Sequence, residues 1–450
     1  MVFMQAGNRH NPFGKPLLLF AELGYTMLMR AGLVLFTLHF CLLTATASDW
    51  PSWRGPHGNG TAEGDGYAIS WSDSTNIAWK IDLPGKAGST PIVAHDRLIL
   101  TCGIDGKNGV VCYDLQGKEL WRATFGEERA GKHRKGSGCN PSPVTDGKSI
   151  FVYYKNGDFA AVDFDGKVLW QRNLQKDYGE DTLWWDLGTS PVLTSQHVVV
   201  ACVQTGPSYL AAFNKQTGET VWKVDRNTGA PEEAAQTYAT PVVTTHNGQE
   251  QIIVLGADQV TCHSAADGKE LWFLAGMNPD QDKYFRSISS PVVSGDIVIA
   301  PYSRGKTITA IRMGGSGDIS KTHVLWRKDG PSADVPTPVA VDGLVYVCTD
   351  KGTVACLKAE SGEEVWSVEL EKNRNAYSAS PVLVDGHVYV VREDGKAFVL
   401  NAGPGDRIAA ENSLDDEFVV ATPVFVGGNI YLRTFDRLYC IQSSSRAAAQ

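Results

Sequence analysis

The sequence has no apolar run of spanning length, no surplus of basic residues and no C-x-x-C pair. Its main apolar stretch, Ala31–Leu43, has 13 residues, against the roughly 20 that a transmembrane helix needs. Lys and Arg number 41 against 50 Asp and Glu, a net charge of −9. Phosphate backbones demand a basic surface, so nucleic acid is excluded as a partner. Anionic membrane surfaces are disfavoured for the same reason. None of the nine cysteines is spaced as a zinc site requires. No Ser-His-Asp or Cys-His constellation assembles from local signals. With 43% hydrophobic and 20% charged residues, the chain is globular rather than collagenous, coiled or disordered.

What is present begins with an export signal. Arg30 precedes Ala31–Leu43, and Ala45-Thr46-Ala47 follows. A positive charge, a short apolar core and an A-x-A site make a secretory signal peptide. Cleavage is expected after Ala47, and Met27 or Met29 would be a more usual start. Cys41 follows Leu38-His39-Phe40 rather than small residues, so it reads as part of the apolar core and not as a lipidation site. The mature chain then has 403 residues, with 38 basic and 49 acidic, and a net charge of −11. It is expected to be periplasmic or extracellular, with no integral membrane span.

A repeat of about 42 to 52 residues runs through the mature chain, a period that signals propellers or solenoids. Ser/Thr-Pro marks each unit: Thr90-Pro91, Ser142-Pro143, Ser190-Pro191, Thr240-Pro241, Ser290-Pro291, Thr337-Pro338, Ser380-Pro381 and Thr422-Pro423. Two apolar, β-rich runs follow, such as Leu344–Val347 and Thr353–Leu357, then a Gly turn and a strand ending in Trp. G-x-x-x-W places Trp121, Trp170, Trp222, Trp272 and Trp366, each four residues after its Gly. The Gly suits a turn with positive φ. Trp326 fills the same place by a less regular route, and the seventh unit has Ala409 or Ala410 there. These tryptophans read as structural. Four strands packed on both faces need neighbours in a ring.

The chain ends are complementary. After Pro423 the last unit lacks its Trp strand, and one stands at the other end as Asn76–Ile81 around Trp79. The reading is all-β: an eight-bladed propeller of four-stranded blades, closed by the N-terminal strand. An open solenoid would need capping units instead. The expected division is 1–47 N-terminal extension and signal peptide, 48–75 lead-in, 76–441 propeller and 442–450 polar tail.

These repeats, with A-x-D-x-x-G-x-x-x-W as in Ala161–Trp170, resemble the PQQ-like propeller family. That family includes bacterial quinoprotein dehydrogenases and the outer-membrane assembly factor BamB. The opening Asp49-Trp50-Pro51-Ser52-Trp53-Arg54-Gly55-Pro56 is similar to the mature start of its secreted members. For the dehydrogenases, the resemblance would imply a quinone over the channel, a calcium ion, a catalytic Asp and an adjacent Cys-Cys disulfide. No two cysteines here are adjacent, and no local motif matches the Asp or the calcium ligands. No cofactor is therefore expected, with PQQ and calcium kept as the alternative, and no catalytic residue or metal ligand is assigned.

Long polar connections follow the Trp strands at Arg122–Gly138, Gln171–Leu187, Lys223–Tyr238 and Phe273–Ser287. Such loops crown one end of a propeller and are where function sits. The first carries Lys132, His133, Arg134 and Lys135, a basic run that grips an anionic group or is simply a solvated face. The second carries Tyr178, Asp181, Trp184, Trp185 and Asp186, suited to stacking on a sugar or peptide or to pinning the loop. The fourth carries Tyr284 and Arg286 beside Asp280 and Asp282, without the spacing of a calcium loop. Cys102–Cys112 and Cys348–Cys356 sit about hairpins and are read as bridges or as free buried thiols. The leading expectation is an exported, non-catalytic monomeric scaffold binding a protein or polymeric ligand through this face. The alternatives are a diverged PQQ- and calcium-dependent dehydrogenase and a BamB-like assembly factor.

Overall fold

The computed structural model describes residues 49–414 and 417–444. The expected signal peptide, and the tail beyond residue 444, lie outside the described residues. Eight sheets follow one another along the chain. Blade 1 runs through Ile92–Ala94, Arg97–Ile104, Lys107–Asp114 and Glu119–Glu127, from innermost to outermost strand. Blades 2 to 7 repeat this order, each strand antiparallel to the last. The middle strands are buried throughout, while outer strands such as Ile77–Asp82 and Glu364–Glu369 alternate between half-buried and exposed residues. The near-continuous apolar runs thus belong to strands packed on both faces.

The ring closes as the sequence predicts. Ile77–Asp82 pairs antiparallel with Arg437–Gln442, with Trp79 opposite Cys440 and Ile81 opposite Leu438. It becomes the outermost strand of blade 8, whose other strands are Val424–Val426, Asn429–Arg433 and Arg437–Gln442.

The Ser/Thr-Pro motif has a physical reason. The Thr90 N–H donates to Ser142 Oγ at 2.9 Å, Ser142 to Ser190 Oγ at 2.9 Å, and Ser190 to Thr240 Oγ1 at 3.0 Å. The chain continues from Thr240 to Ser290 and from Ser290 to Thr337, both at 2.9 Å, then from Thr337 to Ser380 at 3.0 Å. Thr422 donates back to Thr90 Oγ1 at 3.0 Å. At seven of the eight junctions a blade's innermost edge is thereby tied to its neighbour's by a buried amide–hydroxyl bond. The proline that follows has no N–H to leave unsatisfied at that edge.

The G-x-x-x-W motif ties the blades at the rim. Trp170 lies over the turn glycine of the next blade, Gly218, and its Nε1 donates to Lys215 O at 2.9 Å. Trp121 does the same over Gly166 with Phe164 O, and Trp326 over Gly362 with Ala359 O, both at 2.8 Å. Trp79 reaches Leu115 O at 3.0 Å across the closure. The irregular blade 5 has an insertion, and Gly317–Asp318 from it adds a short parallel strand against Trp272 and Phe273 of blade 4. In blade 7, Ala410 stands opposite Val399, where blade 6 has Trp366 opposite Cys356. Trp71 of the lead-in stacks on Tyr389 there, with centroids 6.4 Å apart, and its N–H is held by Asn412 Oδ1. The next blade is the seam where the chain ends meet, so no hairpin glycine awaits a tryptophan and the lead-in fills the gap.

Neither proposed cysteine bridge is present, and all eight described cysteines are free. Cys102 stands opposite Gly109, and Cys112 opposite Ile99. The two are three rows apart, roughly 10 Å along the strands, and face different core clusters. Cys348 stands opposite Val354 and Cys356 opposite Tyr346, two rows apart. Both offsets exceed the reach of a disulfide.

Candidate functional site

The lead-in crosses one end of the channel. Trp50 exchanges hydrogen bonds with Val93 of blade 1, and Pro51 O accepts from Thr145 N of blade 2. On the far side, Arg54 donates to Pro338 O at 2.8 Å and Pro381 O at 3.1 Å, and Thr61 bridges to Leu383. Arg54 is buried and meets carbonyls rather than a carboxylate, and burial lowers its pKa to about 9. Trp53, between these anchors, donates from Nε1 to Thr422 Oγ1 at 3.1 Å. It borders a lower cavity and an upper chamber. The chamber, about 460 Å³, opens toward the long loops and is lined by Trp53, His133, Lys135, Trp185, Asp186, Tyr238, Arg286 and Arg304, with the hydroxyl ring at its waist.

The loops begin later than the sequence suggests, because the outer strands run on to Glu127, Asn173, Asp225 and Leu274. Leu174–Tyr178 is a short helix capped by Asn173. Asp186 organises the first two loops. Its carboxylate accepts the N–H groups of Lys132 and His133 and pairs with buried Lys155. Lys132 Nζ bonds to Leu183 O, and Lys135 pairs with Glu393 of blade 7. The guanidinium of Arg134 lies 5.9 Å over the Phe418 ring. Much of the basic run therefore holds loops together.

Trp184 and Trp185 are each 44% exposed and Tyr284 46%. Trp184 N–H donates to Gln236 Oε1 at 2.9 Å, and Trp185 N–H to Tyr238 OH at 3.1 Å. Trp185 Nε1 donates to Glu233 Oε1 at 2.8 Å. Glu233 also faces Arg286 at 3.4 Å, and Arg286 is clamped by both oxygens of Asp334. The turn Glu232–Ala235 thus joins the second and fourth loops, and Lys283 sits over the Tyr284 ring. Asp181 caps Leu183 N–H and lies 4.0 Å from Arg129, and burial raises its pKa. Tyr178 is elsewhere. Its hydroxyl meets Thr220 and its ring packs edge-on against Tyr209, on the outer strands of blade 3.

The structure therefore brings Trp185, Asp186 and Arg286 to the chamber, leaves Trp184 and Tyr284 exposed outside its lining, and separates Tyr178. Sequence reasoning missed Trp53, Tyr238, Glu233, Arg304 and the ring hydroxyls. The last had a readable signal: all eight motifs carry Ser or Thr, which proline alone does not explain. Among the described residues no group of three or more His, Cys, Asp and Glu is placed to hold a metal, and no helix is long and apolar enough to cross a membrane.

Fold and repeat together define an eight-bladed propeller of the PQQ-like class. The chain belongs to the family described as outer membrane protein assembly factor BamB, whose model matches residues 106–275, 234–318 and 317–434. A relative from Bordetella pertussis, named outer membrane protein assembly factor BamB, is 24% identical over 312 residues, 67% of this chain and 70% of its own. The crystal structure of BamB from Moraxella catarrhalis is 15% identical, with a TM-score of 0.58 over 82% of this chain and 97% of that one. Quinohemoprotein alcohol dehydrogenase from Comamonas testosteroni is 12% identical, with a TM-score of 0.63 over 88% of this chain and 81% of that one. The likeness to the two solved structures shows the shared fold.

Proposed function

We propose that this chain is an exported BamB-like scaffold that binds a protein partner through its long-loop face, in the assembly of outer-membrane proteins. The observation that carries the reading is the aromatic patch of Trp184, Trp185 and Tyr284. Both tryptophans are exposed, their backbone N–H groups held by Gln236 and Tyr238, and the Trp185 indole is fixed by its bond to Glu233. Rigid Trp and Tyr side chains are the usual anchors of protein interfaces, and pre-ordering lowers the entropic cost of binding. The family match supports the class of partner, since the relatives are named for outer-membrane protein assembly. This reading promotes the assembly-factor alternative over an unspecified scaffold.

Co-purification of the tagged chain from solubilised envelopes tests it. Outer-membrane assembly machinery should be enriched with the native chain, and reduced about tenfold or more with a Trp184→Ala/Trp185→Ala variant of unchanged melting temperature. Machinery no more enriched than with an unrelated exported propeller would overturn the reading. No cofactor has a part in it. Dye-linked oxidation of an alcohol or sugar on adding PQQ and Ca²⁺ would replace it with the dehydrogenase alternative.

A further inference from the structure

The channel waist is lined with hydroxyls whose protons no protein group among the described residues accepts. Six ring hydroxyls face the chamber: Thr90, Ser142, Ser190, Thr240, Ser380 and Thr422. Each accepts an N–H, from a backbone amide or, at Thr422, from the Trp53 indole. A hydroxyl also carries one proton of its own. Among the described residues no protein group accepts any of these six protons, which leaves them for water or a ligand in the chamber.

Of the charged side chains that line the chamber itself, Lys135, Arg286 and Arg304 are basic and Asp186 alone is acidic, while four further carboxylates stand behind them against one further lysine. Asp186 is matched by Lys155, Glu393 by Lys135, and Asp334 and Glu233 share Arg286. Asp350, behind this wall, is capped by the N–H groups of Asp334 and Val335. Arg304 lines the chamber, is exposed to it, and makes no ion pair or hydrogen bond among the described residues. The lead-in crosses the other end, where Trp53, Ser190 and Thr240 border both the chamber and the lower cavity.

We infer that this chamber is a binding site for a compact oxyanion, a carboxylate or phosphate group, gripped by Arg304 and the free protons of the Ser/Thr ring. The site shares Trp185 with the aromatic patch, but its anion contacts, Arg304 and the ring hydroxyls, are no part of that patch, and it does not depend on the docking role. A free metabolite and a group borne on a larger ligand offer the same chemistry, and 460 Å³ accommodates a small molecule or the end of a longer one.

The test is calorimetric titration of the mature chain with citrate, with inorganic phosphate and with glucose as a neutral control, at low ionic strength. At least one oxyanion should bind saturably and glucose should not. Binding should weaken as salt is raised. Arg304→Gln should weaken it about tenfold or more, since a charged hydrogen bond is lost. Arg304→Lys should restore part of that affinity. Trp184→Ala, which removes a docking-patch residue outside the chamber lining, should leave it unchanged, so this site and the docking patch fail or stand separately. No saturable binding of either oxyanion, which would leave water as the only occupant, overturns the proposal. So does an affinity indifferent to Arg304→Gln.

Discussion

Gly218→Ala should cost far more than an alanine at an ordinary turn glycine. Two terms act at Gly218. Its φ of +73° is disfavoured for an L-residue by about 1–2 kcal/mol. A Cβ there would also lie 2.6 Å from the Trp170 ring. That contact forces the indole off its seat and strains its bond to Lys215 O, and overpacking of this kind costs about 1–3 kcal/mol. Together they reach about 2–5 kcal/mol. Gly248 is the control: its φ is +75°, and nothing lies within 4 Å of a Cβ there. Gly248→Ala should cost only the backbone term. Over roughly 390 ordered residues the unfolding entropy is about 0.8 kcal/mol/K, so the drops in Tm are about 2–6 °C for Gly218→Ala and about 1–2 °C for Gly248→Ala. Thermal unfolding of both variants at one protein concentration reads this directly. Adding Trp170→Ala to Gly218→Ala should cost less than the sum of the single changes, because the clash disappears with the ring. Equal losses at Gly218 and Gly248, or strict additivity with Trp170→Ala, would refute the idea that each tryptophan is seated on its neighbour's glycine.

Three more perturbations follow from the same geometry. His263 is buried between Thr261 Oγ1 and Gly268 O, 3.0 Å from each, and burial followed by the nearby Arg226 charge lowers its pKa to about 4. The neutral imidazole is the folded form, so its contribution is full above about pH 6.5 and is lost as pH falls toward 4, worth at most about 3 kcal/mol. His263→Gln should flatten urea-measured stability across that window, and an unchanged slope would contradict the assignment. Labelling the mature chain after unfolding without reductant should modify all eight thiols, whereas six or four would revive one or both bridges. Removing the chain before and including Trp79 should abolish cooperative unfolding followed by tyrosine and tryptophan fluorescence, because Arg437–Gln442 would lose its partner strand; a sharp transition near the native midpoint would argue against closure.

Propeller architecture was legible because it is written eight times. A single Ser-Pro or Gly-x-x-x-Trp is weak, but repetition turns each into a measurement of blade length, and the missing last Trp strand pointed to Trp79. The two halves of the repeat turned out to be the two inter-blade fastenings, hydroxyl to amide at the channel and indole to turn carbonyl at the rim. What stayed hidden was long-range pairing. Nothing local links Trp71 to Tyr389 and Asn412, Arg54 to Pro338 and Pro381, or Lys155 to Asp186, since each contact joins segments about 30 to more than 300 residues apart. The basic run looked like a grip and is largely a brace, because Lys132 and Lys135 meet their partners on other loops. The cysteine pairs looked close because they share hairpins, and strand register put them two or three rows apart. Arg304 drew no notice in the sequence, since an arginine in a turn is ordinary until it is seen to line the chamber without an ion pair among the described residues.

The central claim is that the long-loop face docks a protein of the outer-membrane assembly machinery. Site-specific photo-crosslinking in living cells tests it most directly, with the probe at Trp184 or Tyr284 and, as a control, at Val221, which is 48% exposed on an outer strand. The account predicts that the two loop positions yield the same crosslinked machinery component and that Val221 yields none. A crosslink from Val221 alone, or no machinery component at either loop position in a folded and exported chain, would contradict it.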